Sequence, residues 1–205
     1  MPAMRLPVLL ACAVLALLAV SACSDSQDRF RAAPLASEDP EDKAIRQDLE
    51  DLANGAAPSD PESSVIYDRA VNNLIMRGVK VETKVIDTLR SHGDRWVRLG
   101  CVDVLTAIAT KTSIEHLIAV LDDEAPLVAQ RADIALRTLT GQRMIAEAGQ
   151  AKEGQLPAVP PRPAEDKALD AEERIWAAWH AAHKAELKAA WERWWAANKT
   201  TFVIK

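Results

Sequence analysis

Apolar positions recur every three or four residues along most of the middle of the chain, and polar caps separate the runs. Asp42–Ala53 places Ile45, Leu49 and Leu52 at helical spacing, with Gly55 as a stop. Ser59-Asp60-Pro61-Glu62 reads as a helix start, with a side-chain oxygen at the cap, proline in the first turn and an acid behind it. That helix is expected to run to about Arg77 and to stop at Gly78. Glu82–Ser91 carries Val85, Ile86 and Leu89 on one face. Asp94 is placed to cap a helix from Arg95 to Ala109. Thr112 or Ser113 is expected to start a short helix holding Leu117, Ile118 and Leu121. Pro126 opens another, ending near Leu139 before Gly141.

These segments repeat. Ile66, Ala70 and Leu74 match Val97, Cys101 and Leu105, which match Val128, Ala132 and Leu136, at a shift of 31 residues each time. A fixed period of this length is the mark of stacked helical units. The helix after Asp94 has one apolar face of Val97, Cys101, Val104, Leu105 and Ile108, and a second of Leu99 and Val102 with Thr106. A helix apolar on two sides belongs between neighbours. Cys101 and Ala132 are small enough for close helix approach. An all-α fold follows, either a short α-solenoid or an irregular bundle.

The run Asp94-Arg-Trp-Val97-Arg98-Leu-Gly-Cys101-Val-Asp-Val104-Leu105-Thr-Ala-Ile108 resembles the second helix of a HEAT-like repeat of the phycocyanobilin-lyase type. Pro126-Leu-Val128-Ala-Gln-Arg131-Ala132-Asp-Ile-Ala135-Leu136-Arg-Thr-Leu139 is similar to it as well. The first copy departs from the pattern, with Asn73 where Val104 and Ala135 stand. The likeness spans Asp60–Gln142, within a repeat domain read as 42–142. It implies a short solenoid of helical hairpins whose second helices line a concave face. Arg98, Arg131 and Arg137 would then be candidate contacts for a partner protein. The activity of bilin-modifying relatives does not follow, because no cysteine or acid here matches their motifs.

Residues 143–169 break the helical pattern, with four prolines in the seven residues from Pro157 to Pro163. They form a linker, a strap laid along the stack or a disordered loop. From 170 to 199 the pattern becomes helical again, and Asp170 with Glu173 has the spacing of a capping box. Ala171–Asn198 contains no Gly or Pro and holds five of the six tryptophans. A helix of that length spans about 42 Å. Trp176, His180, His183, Leu187, Ala190 and Trp194 align on one stripe, flanked by Trp179 and Trp191, with Trp195 off its centre and expected to stay partly exposed. Trp191-Glu-Arg-Trp194-Trp195 is similar to a tail element of bacterial HEAT-repeat proteins.

Four readings of this helix stand side by side. It is a lid on the last repeat, a partner or ligand surface using Trp191 and Trp195, a helix lying on a membrane, or a metal site at His180, His183 and Glu186. Mixed charge on its polar face weakens the membrane reading, and the lack of a second ligand cluster weakens the metal reading.

The N-terminus changes the setting. Residues 1–22 have a basic start, the apolar run Leu6–Val20 and small residues before Cys23, as a secretory signal does. Val20-Ser21-Ala22-Cys23 resembles a bacterial lipobox, which implies lipidation of Cys23 and cleavage before it. Ser24 after the cysteine resembles the pattern that sends such proteins to the outer membrane rather than the inner. An ordinary secreted protein or an uncleaved anchor are the alternatives. Residues 23–41, polar with Pro34 and Pro40, read as a tether. Of three cysteines, Cys12 would leave with the signal and Cys23 would be lipidated, so Cys101 is left without an intramolecular disulfide partner.

Composition narrows the partners. The net charge is −5 with no basic block, which argues against nucleic acid. No Ser/His/Asp set, phosphate loop or cofactor motif stands out, so no cofactor or enzyme activity is expected. The expectation is a membrane-anchored protein-binding scaffold, with a ligand- or cell-wall-glycan-binding lipoprotein as the alternative.

Overall fold

Capping chemistry sets the helix ends. The Asp60 carboxylate accepts the backbone N–H of Ser63 at 3.0 Å, ahead of Pro61, and the helix Pro61–Arg77 follows. Gly78 ends it with φ 63° and ψ −150°, a conformation that a side chain would strain. The Asp94 carboxylate likewise accepts from the Trp96 N–H at 2.7 Å. Gly141, left-handed at φ 71°, closes Pro126–Thr140.

The computed structural model describes residues 39–56, 60–150 and 152–204. The signal segment, Cys23 and the tether as far as residue 38 lie outside the described residues. The helices are α1 (Pro40–Asp51), α2 (Pro61–Arg77), α3 (Glu82–Ser91), α4 (Arg95–Ile108), α5 (Lys111–Ala119), α6 (Pro126–Thr140) and α7 (Ala171–Asn198). Short 3₁₀ turns cover 52–56, 78–81 and 120–122. The protein is all-α; among the described residues β pairing amounts to one isolated bridge, Ile145 to Leu156. No described helix is long and apolar enough to cross a membrane.

The helices pack as hairpins, α1 on α2, α3 on α4 and α5 on α6. The second helices then pack on one another in the order α2, α4, α6. In the middle, α4 buries Val97, Leu99, Cys101, Val102, Val104, Leu105 and Ile108, so both apolar faces are used. Its Gly100 admits the Leu52 side chain so closely that an added Cβ would lie 2.8 Å from Leu52 Cδ2. Helix α7 lies on α5, α6 and the 120–122 turn, which closes the C-terminal end of the stack.

Three local expectations are corrected. Helix α1 begins at Pro40, because proline fits a first turn whose N–H groups have no helical partner, so 40 and 41 belong to the fold and not to the tether. Helix α5 is capped by Thr110, whose hydroxyl accepts from the Thr112 N–H at 3.2 Å. Ser113 is instead drawn to Glu82, whose Oε1 also accepts from the Thr110 hydroxyl at 2.7 Å and its N–H at 3.1 Å. Third, the capping box at Asp170 does not form. The Asp170 carboxylate faces Arg174 at 3.2 Å and Glu173 faces Arg95 at 3.5 Å.

Ahead of its prolines the segment 143–169 folds back on itself and packs on the core, while Pro157, Pro160, Pro161 and Pro163 are exposed. Ala146 N–H donates to Leu156 O at 3.0 Å and Leu156 N–H to Met144 O at 2.8 Å, pinching the segment into a loop. Ile145, Ala146 and Leu156 are buried, and Ile145 and Leu156 join the main core.

Candidate functional site

Most of the expected site residues do structural tasks. Arg98 is 6% exposed. Its Nε and Nη2 donate to the two oxygens of Asp123 at 2.9 and 2.8 Å, and its Nη1 donates to the carbonyls of His92 and Gly93, both at 2.9 Å. This bidentate bond holds the α3–α4 turn against the α5–α6 turn and raises the guanidinium pKa further. The expectation of Arg98 as a surface contact is corrected on this point: its donors are spent inside the fold.

Arg131 is placed differently. Its Nη1 donates to Asp103 Oδ1 at 2.9 Å, and the Tyr67 hydroxyl donates to Asp103 Oδ2 at 3.0 Å. Tyr67, Asp103 and Arg131 belong to α2, α4 and α6, so one polar row crosses all three second helices. Partial burial raises the Asp103 carboxyl pKa despite the Arg131 charge, and burial beside Asp103 raises that of Tyr67. The Arg131 side chain keeps 43% of its surface open. Next to the row, Trp96 is half-buried under the Arg95 guanidinium, 4.9 Å from the ring centroid.

Arg137 lies at the α6–α7 seam, 3.1 Å from Asp133 Oδ2. That approach lacks hydrogen-bond geometry, since neither atom has a hydrogen-bond partner among the described residues, so the attraction is Coulombic. Burial holds the Asp133 carboxyl above its usual range, against the pull of Arg137, the Trp191 N–H and Arg143. Arg137, Ile134, Thr138, Gly141 and Arg143 line an open cavity of about 390 Å³.

The tryptophans face inward. Trp191 is fully buried and its Nε1–H donates to Asp133 Oδ1 at 3.0 Å. Trp176 donates to the Pro126 carbonyl at 2.7 Å. Trp195, expected partly exposed, is only 7% exposed and donates to Glu115 on α5 at 3.0 Å. The reason for this correction is that α7 rests on two helices and not one, so its buried arc is wider than a single stripe. Trp194 and Trp195 also enclose Phe202, edge-on at 5.5 and 5.8 Å between centroids.

The histidines are engaged as well. His180 Nε2 bonds the Leu121 carbonyl at 2.7 Å, and His183 Nδ1 bonds the Trp179 carbonyl at 2.8 Å. A carbonyl only accepts, so each of these nitrogens carries the proton. Among the described residues no group of three or more His, Cys, Asp or Glu side chains is placed to hold a metal ion. Cys101 is buried and its thiol is pushed up to about 12, which keeps it protonated at neutral pH.

Residues that sequence reasoning missed are the carboxylates: Glu82, Asp103, Asp123, Asp133 and Glu115. Asp133 left a trace, since it sits among Ala129, Ala132, Ala135 and Leu136, where a lone charge needs a buried partner.

The geometry defines an all-α stack of three hairpins closed by a tryptophan-bearing helix. The chain matches no family model, no curated protein and no solved structure.

Proposed function

We propose that the chain is a lipid-anchored, helical-repeat scaffold of the bacterial envelope that binds a partner protein across its second helices and performs no chemistry. The polar row Tyr67–Asp103–Arg131 carries this reading. It presents one residue from each hairpin on a rigid frame, and Arg131 is the half-open member. Arginine and aromatic residues at the edge of a fixed framework are favoured anchors for protein partners. The likeness of Val20–Cys23 to a lipobox supplies the anchor, on Cys23.

The glycan- or ligand-binding alternative has less to work with. Trp191 and Trp195 already donate their N–H groups to Asp133 and Glu115. Trp195, 7% exposed, lines an open cavity of about 310 Å³ with Glu115, Lys188, Glu192 and Lys199.

A photo-crosslinking residue at Ala107, exposed on α4 below Asp103, tests the reading in cells making the full chain. A discrete protein adduct is expected, reduced about tenfold by Arg131→Glu, as for loss of an interface anchor. An adduct indifferent to Arg131→Glu, or none, contradicts the binding face. Palmitate labelling that survives Cys23→Ser contradicts the anchor.

A further inference from the structure

Pro157, Pro160, Pro161 and Pro163 stand in solvent, and the chain from Pro157 to Pro163 is neither helix, strand nor turn. A proline holds its own φ near −65° and keeps the residue before it out of the helical region. From Leu156 to Pro163 only Ala158 escapes both restrictions. The conformation left to the segment is the extended, left-handed polyproline helix, which has three residues per turn. At that period Pro157, Pro160 and Pro163 share one edge, about 19 Å long at a rise of about 3.1 Å per residue.

Both ends of this ridge are fixed to the fold. Ahead of it, Leu156 is buried and its N–H donates to Met144 O at 2.8 Å. Behind it, the Asp166 N–H donates to Pro163 O at 3.1 Å, and the Asp166 carboxylate accepts from Arg174 on α7 at 3.0 Å. Between these ends Val159 packs half-buried on the core. The ridge is pinned on one side and open on the other. Among the described residues no hydrogen bond uses a backbone carbonyl from Pro157 to Arg162. Arg162 spends its Nε on Asp166 O at 2.7 Å, while its Nη1 has only the exposed Glu172, at 4.0 Å.

Extended prolines three apart, carbonyls without donors and a cation close by suit one mode of recognition. Proline rings enter slots between aromatic side chains, whose N–H and O–H groups donate to the carbonyls, and an acid at the rim meets the cation. We propose that Pro157–Arg162 is a docking ridge for a protein domain with an aromatic-lined, PxxP-type groove and an acidic rim. Pro157 and Pro160 fill the groove and Arg162 lies at its end. Because the fold holds the ridge extended, little conformational entropy is lost on binding. The ridge shares no residue with the row Tyr67–Asp103–Arg131, so either contact can fail without the other.

An isolated SH3 domain with an acidic rim is a groove of this chemistry. The test is a titration of that domain, isotope-labelled and followed by NMR, with the full chain in detergent micelles. Shifts confined to the aromatic groove are expected, saturating with a Kd of about 0.1 mM or tighter, as for a small transient contact. Pro157→Ala with Pro160→Ala weakens binding about tenfold, with circular dichroism unchanged because both rings are exposed. Arg162→Gln weakens it about two- to fivefold, as loss of an exposed ion pair should, and Arg131→Glu leaves it unchanged. A free peptide of residues 155–165 binds about fivefold more weakly than the folded chain, since it must be ordered on binding. A titration without groove shifts overturns the proposal. So does binding that survives the proline changes, that Arg131→Glu removes, or that the free peptide equals.

Discussion

The two ends of the stack are closed in opposite ways. At the C-terminal end, α7 brings 28 residues and lays four indoles into the fold, three with the N–H on a fixed acceptor (Pro126 O, Asp133 and Glu115), while the buried Trp179 N–H has no partner among the described residues. At the N-terminal end, α1 brings 12 residues and buries Ile45 as its apolar anchor. It is tied mainly by Asp48, which accepts from Asn73 at 2.9 Å and from Arg77 at 2.7 Å. Large rings with one polar tip bury area and fix orientation together. A short helix held by carboxylate bonds covers less, and α1 leaves the outer face of α2 open. One end is sealed by rings; among the described residues the other leaves the outer face of α2 exposed.

Trp191→Ala should give the largest effect, about 4 kcal/mol, because it opens a cavity and strands the buried Asp133 carboxylate. Denaturant unfolding measures it. Ile45→Ala at the other end should cost about 2 kcal/mol, at the low end for such a truncation because the site is peripheral. A larger loss from Ile45→Ala than from Trp191→Ala would reverse the comparison. Trp195→Phe keeps an aromatic ring but removes the bond to Glu115 and part of the indole's packing, so about 1–2 kcal/mol is expected in the same assay.

The finest test is of slope rather than size. Burial raises the Asp133 carboxyl pKa, so the folded chain takes up this proton at higher pH than the unfolded chain does. Its contribution is then greatest in acid, below the unfolded value of about 3.9, and falls as pH rises through the folded value. Going from neutral pH toward acid, the wild type should gain stability relative to Asp133→Asn. Unfolding free energies of both proteins across that range check the sign, and a relative loss in acid contradicts it.

The helices were largely legible, because their signals are local. Asp60 before Pro61, Asp94, Pro126 and Gly141 each act within a turn of where they stand, and the starts of α2 and α4 and both ends of α6 follow from them. The 31-residue shift likewise foretold the neighbours of α4. What was hidden depends on partners far along the chain. Glu82 reaches Thr110 and Ser113, which moves the start of α5 to a cap that local spacing did not favour. Arg98 looks like a surface charge until Asp123, 25 positions away, folds against it. Trp195 looked exposed because a helical wheel considers one neighbouring surface, whereas α7 has two. Among the expected contacts, Arg131 and Arg137 remain reachable from outside, and nothing in their immediate sequence separated them from Arg98.

The central claim is that α7 is an integral closing element of the stack and not an appended helix. Native-state hydrogen exchange on the full chain tests it most directly. Amides around Leu187–Trp191 should exchange only through the same global opening as those around Cys101–Leu105 in α4, with equal free energies and equal denaturant dependence. Exchange of the α7 amides through a separate, lower-energy opening, while α4 stays protected, would contradict it.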